Sequence, residues 1–328
     1  MAEIRKTKLT LNEILIATER GFRPDQFKSK EKMDCPFCPG NEKLTPDPEI
    51  LRIPRYGQWL LRCVPNKFPA LRIEGNSKFG FLLDGYLAST ITDAHGAHEV
   101  IIETPVHETD YSIVSPDEIA RTLYAIDQRT QDLYRDKRIR YIQVFKNFRE
   151  EAGASLRHEH TQIIGLPHIP LKLRNRLHNL EDFFCDSNHS IFETVLDYSE
   201  RDGRIVCQNA HFICICPYEA KLPFEMWIIP VKQTANFTDS NQHFDDLARI
   251  VSESVKRLKA VFGELPPFNM FIEEAPPKIY RDCDSFYCWR LRIMPRLTRI
   301  AGFELASGYF INPTPPEQSA KLLKAVQF

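Results

Sequence analysis

Two stretches of this chain run through the same order of elements, and that repetition narrows the fold more than any single motif. In the first, His98-Glu99-Val100-Ile101-Ile102-Glu103 reads as a strand rich in β-branched residues, ending at Thr104-Pro105. Ser115-Pro116-Asp117-Glu118 then supplies an N-cap, a proline at the first helical position and a capping-box glutamate. The helix that follows carries Ile119, Leu123, Ile126 and Leu133 close to a 3.6-residue period. Tyr141 to Phe145 is the next strand, Gly153-Ala154-Ser155 a turn, and the His158 segment a further strand. In the second stretch, Phe224 to Ile229 is a strand ending at Pro230. Asp239 or Ser240 caps a helix bearing Leu247, Ile250, Val251, Val255 and Leu258. Phe268 to Glu273 and Cys288 to Ile293 complete the copy. The order predicts an α+β protein of two related halves, each an antiparallel sheet with packed helices. The join is expected between Pro167 and Leu180, giving an N-terminal half over 1–170 and a C-terminal half over 171–328.

Composition excludes several classes. The chain has 328 residues, 43% hydrophobic and 27% charged, and a formal net charge of −1. That balance points away from nucleic acid or an anionic membrane as partner. No apolar run approaches the roughly 18 residues of a membrane span. Met1 to Lys8 is charged and lacks the apolar core of a signal peptide, so a cytoplasmic protein is expected. The nine cysteines include Cys207, Cys214 and Cys216 in strand-like sequence, and most are expected to be reduced and buried.

The chemistry concentrates in His158-Glu159-His160-Thr161-Gln162 and, far upstream, Cys35-Pro36-Phe37-Cys38. On an extended strand His158, His160 and Gln162 share one face, and Glu159 points to the other. The Cys-x-x-Cys spacing is that of half a tetrahedral zinc site. A redox role fits less well, because no βα thioredoxin-like pattern follows and Pro39-Gly40 comes next. A thiolate pair, one ligand histidine and a second histidine as nucleophile would suit phosphorus chemistry.

The ordered set of motifs resembles a known family. Cys35-Pro-Phe-Cys-Pro-Gly40, Pro65-Asn-Lys-Phe-Pro-Ala70, His98 to His107, Val144-Phe-Lys-Asn147, Gly153-Ala-Ser155 and His158 to Gln162 carry it, with Arg296 to Glu304 and Tyr309 to Pro313 extending it. They resemble the galactose-1-phosphate uridylyltransferase branch of the histidine-triad superfamily, most closely its ADP-glucose phosphorylase members. The resemblance implies a double displacement on a nucleoside diphosphate sugar, with His160 as covalent nucleophile and a sugar 1-phosphate or inorganic phosphate as acceptor. Gln162 and Ser155 would donate to phosphoryl oxygens, and the Gly153 turn and Asn147 would hold the phosphates. Arg20 and Arg23 are candidate phosphate clamps, Asn66 a base contact or a turn residue, and Glu304 the sugar-hydroxyl acceptor. The resemblance also implies one structural Zn²⁺ on Cys35, Cys38, His107 and His158, and a homodimer.

Departures from the family pattern fall in the second half. Gln233, and Cys288 with Arg290, stand where relatives tend to have histidines, and Cys185 stands alone. A second metal site is therefore expected to be absent. Glu159 stands where relatives prefer proline or a small residue. Two other readings fit the same residues: a dinucleoside polyphosphate phosphorylase or hydrolase, and a nucleotide-binding protein without activity. The intact His158-x-His160-x-Gln162 speaks against the latter.

Overall fold

The computed structural model describes residues 2–7, 13–18, 20, 34–74, 79–82, 89–277 and 283–328. Arg23 lies outside these residues. A small antiparallel sheet is made of β1 (Glu3–Thr7), β2 (Glu13–Ile16), β5 (Phe79–Leu82) and β6 (Ser89–Asp93), in the order β2-β1-β6-β5. The body is a second sheet of ten strands. Its N-terminal half contributes β3 (Leu51–Ile53), β4 (Leu61–Pro65), β7 (Ala97–Ile102), β8 (Tyr141–Phe148) and β9 (His160–Leu166). Its C-terminal half contributes β10 (Ile205–Gln208), β11 (Phe212–Ile215), β12 (Met226–Pro230), β13 (Phe268–Glu273) and β14 (Arg290–Pro295).

The order across this sheet is β10-β11-β12-β14-β13-β8-β9-β7-β4-β3. Outward from the β8–β13 seam, one side reads β8, β9, β7, β4, β3 and the other β13, β14, β12, β11, β10. Helices α1 (Pro116–Leu133) and α4 (Phe244–Phe262) enter at the same point of each half, after β7 and after β12. The expected duplication is thus present, and the two sheets are fused edge to edge. At the seam Phe148 lies opposite Phe268, and Phe145 opposite Phe271.

Local sequence explains how the helices start. The Ser115 hydroxyl accepts the Glu118 N–H at 3.3 Å, and the Glu118 carboxylate accepts the Ser115 N–H at 3.0 Å, a complete capping box. The second helix differs from expectation. Asp239 and Ser240 lie in a 3₁₀ turn over Phe237–His243, and α4 begins only at Phe244. Their side-chain oxygens are engaged elsewhere: Ser240 accepts the Trp289 indole N–H at 2.9 Å, and Asp239 accepts the Thr234 hydroxyl at 3.3 Å.

Strand alternation divides the sheet into two faces. On one, Cys63, Ile101, Val144 and Ile163 meet Ile119, Leu123 and Ile126 of α1 and Leu247, Val251 and Val255 of α4 in the main core. Each such side chain fully buried contributes about 1.5–3 kcal/mol. On the other face the halves part company. The C-terminal half is roofed by α2 (Leu171–Ser187) and α3 (Ile191–Arg201), with Phe192 packed on Ile213, Trp227 and Ile229. In the N-terminal half, Val100 and Ile102 pack on Phe37 and Trp59, and a cavity lies beside them. No helix among the described residues is long and apolar enough to cross a membrane.

One buried acid of this frame sets a pH dependence. Glu274 follows β13, is 3% exposed and accepts the Phe237 N–H at 3.0 Å. Burial pushes its carboxyl up to about 7, against the pull of that N–H. The folded state therefore keeps a proton that the unfolded chain releases near its ordinary value. This group's contribution to stability should fall as pH rises from about 4.5 to 7, by up to about 3 kcal/mol. Gln at 274 keeps the acceptor without the charge. Urea unfolding of Glu274→Gln should match the wild type at pH 5 and show greater stability at pH 8.

Candidate active site and metal centre

β9 sits between β7 and β8, so its backbone is held on both edges, with Gln162 opposite Val100 on one side and Phe145 on the other. His160 and Gln162 face the cavity, 6% and 3% exposed. The cavity holds about 220 Å³ and is mostly apolar, walled by Phe37, Val64, Phe68 and Val100, with Ser155, Asn66, His160 and Gln162 at its polar end. His160 Nδ1 lies 2.8 Å from the carbonyl oxygen of His158. A carbonyl only accepts, so this contact assigns the proton to Nδ1 and leaves the ring's lone pair on Nε2.

The Cys35–Cys38 turn brings two sulfurs to the same end of β9. Cys38 N–H donates to Cys35 O, and the Asn41 side chain donates to that oxygen at 2.9 Å, which fixes the knuckle. The Phe37 ring between the cysteines meets His158 and His160 edge-on, with centroids at 6.0 and 5.4 Å. Ligand atoms of Cys35, Cys38, His107 and His158 all lie within 4.8 Å of one another, and among the described residues they are the one group of this kind. Both sulfurs are 3.7 Å from His158 Nδ1, and Cys38 Sγ is 3.2 Å from His107 Nδ1. In a tetrahedron with the usual zinc–sulfur and zinc–nitrogen bonds, sulfur and nitrogen stand about 3.6 Å apart. His158 Nε2 donates to Thr104 O at 2.7 Å, so Nδ1 turns its lone pair to the sulfurs. Burial pulls the His158 imidazole down to about 4 and pushes the Cys35 thiol up to about 11. A neutral imidazole is ready to ligate, and a dication is the charge that would hold the two thiols as thiolates. The residues present fit a metal ion.

The turn after β8 supplies a second polar wall. Arg149 has φ 68° and ψ 168°, a backbone region that a side chain disfavours by about 1–3 kcal/mol. Its carbonyl accepts the N–H of Ala154 at 3.1 Å. Gly153 takes φ 90°, and its carbonyl lies 3.4 Å from the Asn147 amide nitrogen. Asn269, from β13, donates to Asn147 Oδ1 at 2.9 Å and to Ala152 O at 2.7 Å. The C-terminal half thereby holds this turn across the seam. A larger polar cavity, about 470 Å³, opens past Leu156 and is lined by Asn147, Arg149, Arg157 and His158 among others.

Other expected residues are placed as follows. Asn66 lines the smaller cavity, with its oxygen accepting the Phe68 N–H at 2.9 Å. Arg20 donates to Phe68 O at 2.8 Å and so braces the cavity wall. Glu304 lies on α5 (Gly302–Ser307), where it accepts the Ala301 N–H at 3.0 Å, and lines neither cavity. His98 and Asn269 were not marked as site residues by the sequence. Their side chains reach Gln162 and Asn147 across paired strands, which a local pattern does not display.

The matching face of the second half carries different chemistry. Arg292 donates to Glu273 at 3.0 Å and to Glu225 at 2.5 Å. Arg290 and Arg176 reach Glu273 at 2.6 and 2.8 Å. Burial would raise the Glu273 carboxyl, but Arg290, Arg292 and Arg176 hold it well below the carboxylate range. Gln233 accepts from Ser190 and donates to Asp284 O, both at 2.6 Å. Burial pushes the Cys288 thiol up to about 12.

A duplicated antiparallel α+β frame with this site defines a nucleotidyltransferase of the histidine-triad type. Residues 6–170 match the galactose-1-phosphate uridyl transferase N-terminal domain, and residues 95–327 match a domain of unknown function, DUF4921. The chain is 32% identical to ADP-glucose phosphorylase of Arabidopsis thaliana, over 99% of this chain and 93% of that one. It is 24% identical to galactose-1-phosphate uridylyltransferase of Thermotoga maritima, over 100% and 99%. Among solved structures, the Arabidopsis thaliana ADP-glucose phosphorylase with bound ADP-glucose superposes with a TM-score of 0.78 at 29% identity, covering 100% of both chains. A uridylyltransferase superposes at 0.80 with 27% identity, covering 98% and 97%. This chain belongs to the galactose-1-phosphate uridylyltransferase family.

The reverse face of β9 is charged. Glu159 and Glu103 pair with Lys146, the latter at 2.9 Å, and Thr161 donates to Glu103 at 2.6 Å. All three charged groups are at most 6% exposed. Burial pulls the Lys146 ammonium down, but Glu103 and Glu159 outweigh it and leave it raised. Burial pushes Glu159 up to about 7. Removing the one cation leaves two buried carboxyls facing each other. Lys146→Met should destabilise the protein by about 3–5 kcal/mol in urea unfolding, and adding Glu159→Gln should recover part of that loss.

Proposed function

We propose that this protein is a nucleotidyltransferase that moves a nucleoside monophosphate from a nucleoside diphosphate sugar to a phosphate acceptor through His160. The carrying observation is the His160 Nδ1 contact with His158 O at 2.8 Å, which leaves the lone pair on Nε2 of a histidine that lines the cavity with Gln162 and Ser155. Nε2 attacks the α-phosphorus, a P–N bond forms, and the bond to the bridging oxygen breaks. Sugar 1-phosphate leaves with that electron pair. An acceptor phosphate oxygen then attacks the same phosphorus, the P–N bond breaks, and His160 is restored. Gln162 and Ser155 donate to the phosphoryl oxygens as charge builds. The apolar cavity suits the nucleoside, and in the larger one Arg149 and Arg157 are the cations a phosphate would meet, among Glu108, Asp110, Glu150, Glu151 and Glu159. The 32% identity to an enzyme named ADP-glucose phosphorylase favours ADP-glucose with inorganic phosphate as the first pair to assay.

Residues 1–170 carry this chemistry in our reading, and 171–328 form a degenerate copy. Zinc is the metal that two thiolates and two imidazoles favour, held by Cys35, Cys38, His107 and His158. It would brace the strand bearing His160 and leave the transfer to that residue. A homodimer is supported by the exposed apolar run Leu297, Phe303, Leu305, Tyr309 and Ile311, which a partner subunit would cover, with Glu304 beside it. Nine unbridged cysteines support a reducing, cytoplasmic setting.

Two measurements test the reading. Wild-type protein mixed with α-labelled ADP-glucose should take up acid-labile, base-stable label at His160. His160→Gly should take up none yet stay folded, and Gln162→Ala should label about 10²–10³-fold more slowly. Label on His158, or turnover by His160→Gly, would refute the mechanism. Elemental analysis should find one zinc per chain. Cys35→Ser should lose it and melt at lower temperature, whereas Cys288→Ala and Gln233→Ala should keep it. Two tightly held metals, or none in fresh protein, would refute the metal assignment.

A further inference from the structure

His98 stands on β7 behind the cavity wall, 5% exposed, and does not line the cavity. The β7–β9 register puts Val100 opposite Gln162, so His98, two residues earlier, shares Gln162's face as its diagonal neighbour. The backbone N–H of Ala70 donates to His98 Nδ1 at 3.0 Å. A ring nitrogen that accepts carries no proton, so the neutral imidazole bears its proton on Nε2. That nitrogen is 3.0 Å from Gln162 Oε1. The Asn66 amide nitrogen is also 3.0 Å away, but its oxygen is taken by Phe68 N–H, so Asn66 packs beside this proton and does not accept it.

The consequence falls on Gln162. A carboxamide is nearly symmetric in shape, and turning it over exchanges an acceptor for a donor. An oxygen turned toward a phosphoryl group would repel it, and an NH₂ would stabilise it. We infer that His98 is a positioning residue: its Nε2–H holds the Gln162 carbonyl, so that the Gln162 NH₂ is the group presented to the transferring phosphoryl oxygens. The chain of command starts at a backbone amide. Ala70 N–H sets the His98 tautomer, His98 sets the Gln162 orientation, and Gln162 meets the phosphate. This rests on the proposed role of Gln162.

Two substitutions separate the bonds His98 makes. His98→Asn keeps an oxygen where Nδ1 stands, so Ala70 N–H stays bonded, but it loses the donor to Gln162. His98→Gln keeps a donor where Nε2 stands and loses the acceptor for Ala70. Each is compared with the wild type and Gln162→Ala for the single-turnover rate of labelling by α-labelled ADP-glucose, its concentration dependence and the melting temperature. His98→Asn should label about 10²-fold more slowly, the loss expected of a misplaced group, with half-saturation little changed and melting near wild type. His98→Gln should melt lower and keep a rate within a few-fold of wild type. The double variant His98→Asn/Gln162→Ala should be no slower than Gln162→Ala, because two parts of one device do not add. If Gln162→Ala is slow while His98→Asn labels at the wild-type rate, the inference is wrong and the function stands. It is equally wrong if His98→Gln is as slow as His98→Asn, or if the double variant's losses add. If Gln162→Ala labels as fast as wild type, or the wild type does not label, the reading of the site fails first and takes the inference with it.

Discussion

The site depends on how His158 is held. Its Nε2–H is bound by Thr104 O, its Nδ1 faces two sulfurs, and its backbone carbonyl receives the Nδ1–H of His160. A side chain tied at both ring nitrogens cannot swing, so the carbonyl of the same residue stays in place. The wrong tautomer of His160 would set a nitrogen lone pair against that oxygen. A neutral hydrogen bond nets only about 0.5–1.5 kcal/mol, yet the penalty for opposing lone pairs adds to it. A metal on the four ligand side chains would therefore act on His160 through one residue's backbone, without touching substrate. Phe37, from between the two cysteines, closes the remaining side by packing edge-on to both rings.

The strand that the sequence places from His158 begins only at His160, and the alternation of β9 and of the two residues leading into it puts opposite demands on the two faces. His158, His160 and Gln162 need neutral groups with defined donors and acceptors, whereas Glu159 and Thr161 enter a buried ionic cluster around Lys146. This accounts for a glutamate between two histidines. It does not line the apolar cavity that His160 and Gln162 face, and its partner on β8 was not visible as such in the sequence. Buried ions specify geometry at some cost in stability. A strand anchored on its reverse face by an ammonium and on its front face by the cysteine knuckle has little freedom to shift register.

Much of this was legible in the chain, for physical reasons. The capping box at Ser115 and the apolar stripes of α1 and α4 are local patterns, and the structure repeats them. The Cys-x-x-Cys turn and the i, i+2 histidines are equally local, and their convergence needed only the distant His107. What escaped was tertiary. The fusion of two sheets through β8 and β13 is backbone pairing between edges, with no side-chain signature. The displaced start of α4 follows from Trp289 and Thr234 claiming the expected caps. His98 carries no local signature of its role, and only the Ala70 and Gln162 contacts show its engagement.

The two halves share a backbone plan and differ in what one sheet face was given to do. In the second half α2 and α3 roof that face, and three arginines meet two glutamates beneath them. Arginine stays protonated in proteins and has no lone pair to offer phosphorus. Arg290, over the Trp227 ring at 4.3 Å, is matched to packing and to charge pairing. Whatever bound there, histidine-type transfer would lack a nucleophile. The copy nevertheless bears on the first site: β13 ends in the Glu273 that its arginines grip, and carries near its start Asn269, which holds the Asn147–Gly153 turn across the seam. A rigid, ion-paired second half is a firm edge for the first.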